Sequence, residues 1–430
     1  MRILITGTTG ESMPPPYGGV QKLILNTAKR WRERGHEMGI TFTYGPKNPD
    51  DIGAKAEYFY EYKSHNQPIK FTKILFLIRY FFSNPRLYIT LLGQHRAICP
   101  HVSRETLLYT AYGVYLNNIF KKFKPDIILT EAALIKSFMA AEIARRHKVP
   151  VVVDVYAEVR DLSMGENRYL TNNQRDFYWR SFLSRFSLVI GLDNCSVEMR
   201  SYLPEERLKE FVDTGGAKYF SGHVSESKRE LREHFKLPQD AFLVGAVGAF
   251  ELRKGHDHLI EAISILDKKG YKVGVVVCGG GDPKHWSLLV KKLGVEDRVF
   301  LFQRLSEEEL RKLHRTMDVY TNLSHTQRMC GFDQSLIEAM SGGLPVIVYE
   351  NGALPRVARN GESGIVVPIN KIPMVAEAIL QLMNLSPEKR KLMGDKSKEF
   401  ALKFDYDITC AEKLTWFEEL VSKNKKDAIL

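Results

Sequence analysis

Residues 324–347 read S-H-T-Q-R-M-C-G-F-D-Q-S-L-I-E-A-M-S-G-G-L-P-V-I, and their order decides the fold class. The apolar run just before them, 319–323, has the length and composition of a buried strand. Gly331 and Phe332 mark a turn, after which Ser335, Leu336, Glu338, Ala339 and Met340 fall in a helical run. Gly342 and Gly343 end that helix, Pro345 follows, and residues 346–348 enter a further strand. Strand, glycine loop and helix N-terminus together make a place for an anion, because backbone N–H groups and the helix dipole converge there. Glu338 sits one to two turns into the helix, where a carboxylate can accept hydrogen bonds from two neighbouring hydroxyls, as on a ribose.

The same alternation runs through the whole chain. Residues 2–6 read as a strand, a loop ends at Gly18-Gly19, and a helix from about 20 to 34 carries Val20, Leu23, Ile24, Ala28 and Trp31 on one face. Two glycines before a helix let the backbone come close to a ligand, with the helix N-terminus turned toward phosphate. Residues 126–130, 149–156 and 187–192 read as buried parallel strands, with a helical pattern over 132–147. Beyond a polar run at 221–232, read as a linker, further strands fall at 242–250, within 273–283, which ends in three glycines, at the start of 297–310, and at 345–349 and 364–368, with helices between them. Strands alternating with helices predict an α/β protein with doubly wound sheets, and 430 residues suffice for two domains with full cores.

Composition narrows the function. The five cysteines (Cys99, Cys195, Cys278, Cys330, Cys410) are scattered, with no C-x-x-C pair, which argues for a reducing compartment without a disulfide framework or zinc site. The opening M-R-I-L-I-T-G reads as a strand rather than a signal peptide, and no apolar stretch approaches the ~20 residues that span a bilayer. The expected location is cytoplasmic. The net charge of +11 is uneven: residues 63–124 hold ten Lys/Arg and one acid, Glu105, around the apolar run I-L-F-L-I-R-Y-F-F at 74–82. Such a segment suits an anionic membrane surface, which would make the protein peripheral on the inner face of the cell membrane; equally it suits a solvated basic face over a helix buried in its own domain. No zinc-finger spacing or RNP-like aromatic motif points to nucleic acid.

The block around Glu338 resembles the signature of the retaining glycosyltransferases of group 1, or family 4, whose usual form is E-G-F-G-x-x-x-x-E-A-M-A-x-G-x-P-V-I. Here Glu338 matches the second glutamate, Cys330 replaces the first, and Asp333 stands where the glycine after Phe332 is usual. E-L-R-K-G-H-D-H-L-I-E-A, from Glu251, is similar to the family's element that holds the donor diphosphate; Lys254 and Gly255 match, the usual arginine falls at Ala249, and Arg253 is the nearby substitute. Gly18-Gly19 before the first helix and R-G-H-E-M at its end (34–38) resemble the family's opening. Gly280, in C-G-G-G-D-P, and the turn at Gln303-Arg304-Leu305 match its nucleotide-side loops.

The resemblance implies the GT-B fold: two Rossmann-like doubly wound domains facing across a cleft, expected at 1–222 and 223–403, with residues 404–430 as a terminal helix crossing back to the first. It implies transfer of a sugar, with retention, from a nucleotide-sugar donor to a hydroxyl of a glycan or lipid-linked acceptor, with no metal and no cofactor beyond that co-substrate. Lys254, Glu338 and Arg253 would be the catalytic set. Gly18, Gly19, Cys330, Gly331, Phe332, Asp333, Leu336, Gly280 and Arg304 would bind the donor. Tyr156 takes the place of a family histidine near the reacting sugar, with Asp154 and Glu158 beside it; these three are acceptor-side or purely structural. A cysteine cannot accept two strong bonds in place of the first glutamate, so either Asp333 supplies that carboxylate or the donor sugar is unusual.

Other readings remain. I-T-G-T-T-G-E at 5–11 resembles the start of the short-chain dehydrogenases, but Met13 holds the third-glycine position and no tyrosine is followed four residues later by lysine. Asp405-Tyr406-Asp407 forms a D-x-D triplet, but acids suit a helix start and a metal role is rejected. A catalytically silent GT-B binding protein, or a GT-B epimerase acting on a nucleotide sugar, stays open as an alternative.

Overall fold

The structure, a computed structural model, describes residues 1–6, 19–44, 57–62, 69–131, 134–155, 169–192, 198–211, 215–325 and 334–427. The chain forms two compact units, residues 1–211 with 409–430, and residues 212–408.

The first unit is built on seven strands: β1 (Arg2–Thr6), β2 (Glu37–Tyr44), β3 (Glu57–Tyr62), β4 (Ile127–Glu131), β5 (Val151–Val155), β6 (Leu188–Leu192) and β7 (Leu208–Phe211). They form one parallel sheet in the order β3-β2-β1-β4-β5-β6-β7. Helices such as Gly19–Glu33 and Ile135–Arg146 connect the strands. R-I-L-I-T, I-I-L-T-E and V-V-V-D-V are near-continuous apolar runs, as strands covered on both faces must be.

The long helix Tyr406–Asp427 supplies this unit with its last face. Cys410, Leu414, Phe417 and Val421 recur at helical spacing and are buried. The Trp31 indole Nε1 donates to the Cys410 carbonyl at 2.9 Å, and its ring meets Phe417 edge-on at 5.2 Å. Between them, Lys413 Nζ pairs with the carboxylate of Asp154 at the end of β5, both side chains under 5% exposed.

The second unit has six strands: β8 (Phe242–Val247), β9 (Val273–Gly279), β10 (Val299–Gln303), β11 (Val319–Asn322), β12 (Val346–Tyr349) and β13 (Gly364–Val367). They too are parallel, in the order β10-β9-β8-β11-β12-β13. In both units the first strand lies at the centre and the chain winds outward on either side, the doubly wound arrangement with its switch point beside that strand.

The polar run 221–232 is not a linker. Ser227 caps a helix, Lys228–His234, in a reciprocal capping box with Glu230. Arg232 of that helix is buried and donates to the carbonyls of Thr316, Gln239 and Ala241 at 2.8–3.1 Å, with a 2.9 Å ion pair to Asp318. A guanidinium anchored so fully fixes the segment to the second sheet. The units divide instead at Phe211/Val212, ahead of the expected 222/223 division. Gly215 and Lys218 already belong to the second unit: Gly215 bridges to Asp405, and the Lys218 amide donates to the Asp405 carboxylate at 2.7 Å. That carboxylate, in the D-x-D triplet, also accepts from the Asp407 amide at 3.0 Å. The terminal helix begins at Tyr406 and reaches the first unit at Thr409.

Removing one partner of a buried ion pair leaves the other charge uncompensated, at a cost of about 3–5 kcal/mol, whereas replacing both with apolar groups is often neutral. Chemical denaturation should therefore show Asp154→Leu or Lys413→Met strongly destabilised, with the double variant recovering most of the loss. Additive losses in the double variant would contradict this account of the pair.

Candidate functional site

In sheets wound this way ligands bind beyond the carboxyl ends of the strands at the switch point, which in the second unit lies between β8 and β11. Lys254 follows β8, and Glu338 lies on the helix Gln334–Ser341 that comes after β11.

Several contacts hold the two loops together. After β8 the chain makes a short 3-10 turn, Leu252–Lys254, closed by Gly255, which then opens the helix His256–Lys268. Gly255 has φ +69, and a Cβ there would overlap the carbonyl oxygen of Leu323 at the end of β11. Only glycine fits both the left-handed backbone and the close approach. Next to it, the His325 amide donates to the Arg253 carbonyl at 3.1 Å. From the other side, Ser335 Oγ at the start of the helix Gln334–Ser341 donates to the Val247 carbonyl at 3.0 Å. The Lys254 loop, the end of β11 and the Glu338 helix are therefore tied to one another.

Within that frame Lys254 is half-buried, its Cγ and Cδ next to Gly248 at a distance where a Cβ would just make contact, 3.5 Å. Glu338 is 3% exposed and Leu336 fully buried on the same helix. The Glu338 carbonyl receives the Gly342 amide at 3.2 Å, and Gly343 at φ +84 ends the helix. Arg253 turns its guanidinium to the Glu251 carboxylate, and this hydrogen bond holds the Glu251 carboxyl below its usual range. Both side chains are about half exposed, so the Arg253 fork is shared with an internal acid while Lys254 lies deeper.

The β9 loop completes the surface. A Cβ at Gly279 would overlap the Gly248 carbonyl, and one at Gly280 would stand 3.3–3.6 Å from the Arg304 guanidinium. The Phe250 amide donates to the Gly280 carbonyl at 2.8 Å. The glycine run thus lets Arg304, exposed after β10, lie across the end of β9. Lys254 and Arg253 lie in the turn after β8, Glu338 on the helix that Ser335 ties to the end of β8, and Gly280 with Arg304 at the ends of β9 and β10, all in the second unit; Leu336, on the Glu338 helix, packs into the apolar core. Gly19 opens the first helix of the other unit, and Asp154 there is engaged by Lys413. Gly18, Tyr156, Glu158, Cys330, Gly331, Phe332 and Asp333 lie outside the described residues.

Two contributors escape a reading of the sequence. His256, directly after Gly255, is 2% exposed, and its Nε2 donates to the Gly248 carbonyl at 3.3 Å. Burial lowers its pKa, so the ring is neutral and serves as a brace for the β8 end. Ser335 is the other. A polar residue at a helix start signals a cap, and nothing in its spacing shows that its hydroxyl reaches back to β8.

Residues 227–400 match the family described as glycosyl transferases, group 1. The matched segment lies wholly within the second unit. The chain is also 26% identical over 216 residues to a D-inositol 3-phosphate glycosyltransferase of Corynebacterium glutamicum, covering 49% of this chain and 50% of that protein. It spans about half the length of the curated relatives it matches first. Among solved structures, sucrose-phosphate synthase of Thermosynechococcus elongatus superposes with a TM-score of 0.73 at 16% identity, over 98% of this chain and 99% of that one. HepE of Anabaena in complex with UDP gives 0.68 at 16% identity, over 97% and 100%. These likenesses concern the fold, which is GT-B. The group 1 segment contains Lys254, Gly280, Arg304 and Glu338.

Gly270 has φ +81 with open space around it, whereas Gly255 has φ +69 and the Leu323 carbonyl against it. Gly270→Ala should cost about 1 kcal/mol, from backbone strain alone. Gly255→Ala should cost roughly 2–4 kcal/mol, adding overpacking to that strain. Thermal melts of the two variants side by side test the difference; equal shifts would remove the special role given to Gly255.

Proposed function

We propose that the protein is a retaining, metal-independent glycosyltransferase that moves a hexosyl group from a nucleotide-sugar donor to a hydroxyl of a glycan or lipid-linked acceptor. The observation that carries this reading is the arrangement at the second switch point: the turn that bears a half-buried lysine and the helix that bears a buried glutamate are tied by hydrogen bonds to the ends of β8 and β11, within the segment that matches the group 1 family. HepE, which shares the fold, binds UDP and UDP-glucose, and a UDP-sugar is the first donor to test.

In this reading Glu338 accepts hydrogen bonds from the two ribose hydroxyls. Lys254 lies against the diphosphate, with Arg253 beside it. As the bond to the anomeric carbon breaks, negative charge grows on the departing nucleoside diphosphate, and a fixed cation stabilises it more than it stabilises the intact donor. Arg304 and the backbone at Gly280 flank the nucleotide. Gly331, Phe332 and Asp333 bind the sugar, Asp333 supplying the carboxylate that Cys330 cannot. The acceptor is assigned to the first unit.

The roles separate kinetically. Glu338→Ala removes ground-state contacts to ribose and should raise the donor KM by roughly 10–100-fold, since a hydrogen bond to a charged group contributes about 1.5–3 kcal/mol. Lys254→Ala removes charge stabilisation and should lower kcat by roughly 10²–10³-fold. A thermal-shift screen of UDP-, GDP-, ADP- and TDP-sugars identifies the donor, because a ligand at 100 times its Kd stabilises the fold by about 2.7 kcal/mol. If no nucleotide sugar stabilises the wild-type protein, the transferase reading fails.

A further inference from the structure

The helix Ile69–Ser83 has two unlike faces. Phe76 and Tyr80 turn inward against Tyr115 of the helix Arg104–Phe123, with ring centroids 5.8 and 5.4 Å apart. The opposite face carries Ile74, Leu75, Ile78 and Phe82, which are 56%, 45%, 45% and 72% exposed. Ile89, 62% exposed, extends the apolar surface onto the next helix, Pro85–Arg96. Five of the thirteen exposed large hydrophobics among the described residues therefore fall within sixteen consecutive positions, so the patch is not the usual scatter of single apolar side chains.

Its setting is strongly cationic. Lys73, Arg79, Arg86 and Arg96 are all exposed on these two helices, and residues 69–96 contain no Asp or Glu. A second copy docking face to face would set these cations against each other. An anionic lipid surface offers the complement to both parts of the face, headgroups for the cations and acyl chains for the isoleucines and Phe82. Among the described residues no helix is long and apolar enough to cross a membrane, so the helix would lie in the interface rather than span it.

We propose that the outer face of the helices Ile69–Ser83 and Pro85–Arg96 is a docking surface for an anionic bilayer, with Ile74, Ile78 and Phe82 inserted and Arg79 and Arg86 on the headgroups. None of these residues belongs to the second unit, so the proposal stands or falls apart from the donor site, and its test involves no sugar chemistry.

The test is co-sedimentation of the full chain with vesicles of mixed phosphatidylglycerol and phosphatidylcholine, against vesicles of phosphatidylcholine alone. The wild-type protein should pellet with the anionic vesicles only, and less as salt is raised. Ile78→Asp/Phe82→Asp should abolish pelleting while the thermal melt stays cooperative. Arg79→Gln/Arg86→Gln, which alters only exposed side chains, should weaken partitioning by roughly fivefold per cation and remains informative if the first variant does not fold. Wild-type protein that ignores anionic vesicles, or variants that pellet as well as wild type, would overturn the proposal. So would light scattering that shows a dimer dissociated by Ile78→Asp/Phe82→Asp with no vesicle binding, which would give the face to a second copy.

Discussion

Two carbonyl groups set the geometry of the second unit. The carbonyl of Leu323 occupies the space where residue 255 would carry a side chain, and that of Gly248 does the same at residue 279. With the backbones this close, β8, β9 and β11 end at nearly the same level. A Cβ would overlap the carbonyl oxygen at residue 255 and again at residue 279, so the backbone at either position would have to shift. Such a shift would strain the hydrogen bond from the His325 amide to the Arg253 carbonyl next to Lys254. The chemistry proposed for the site depends on side chains, but their spacing depends on the lack of side chains at two glycines.

Much of this could be read from the chain before its structure was known. The strand–helix alternation was legible because both sheets are parallel and covered on two faces, which turns their strands into plain apolar runs such as V-V-V-D-V and V-G-V-V-V-C-G. The helix Lys284–Leu293 follows the glycine run directly, and Ser306 accepts from the Glu309 amide at 3.2 Å to open the next helix, Glu307–Thr316. The linker reading at 221–232 failed for a physical reason: the segment is polar because Arg232 works as a buried donor to carbonyls, not because it is solvated. Burial of an arginine is decided by acceptors far along the chain, at Thr316 and Asp318, which local composition does not reveal.

The site was legible to a different degree. Lys254-Gly255 and Glu338 stood out because their neighbours follow a motif. His256 and Ser335 did not, since each acts through a single hydrogen bond to a main-chain carbonyl of β8 or its end, and carbonyls leave no trace in a sequence. Asp154 shows the opposite limit. A carboxylate at the end of a central strand looks like chemistry, yet here it is held by a lysine 259 positions away.

That separation bears on the order in which the molecule is completed. Residues 409–427 leave the ribosome only after the whole of the second unit, residues 212–408, has been made. At roughly 5–20 residues per second, synthesis of that intervening stretch takes about 10–40 s. Through this interval the first sheet is already encoded in full, but Trp31 has no Phe417 to pack on and the charge of Asp154 has no counterion from Lys413. The nascent first unit therefore waits, with an apolar patch and a carboxylate uncovered, for a single helix to seal it, and the second unit can finish folding before the first one does.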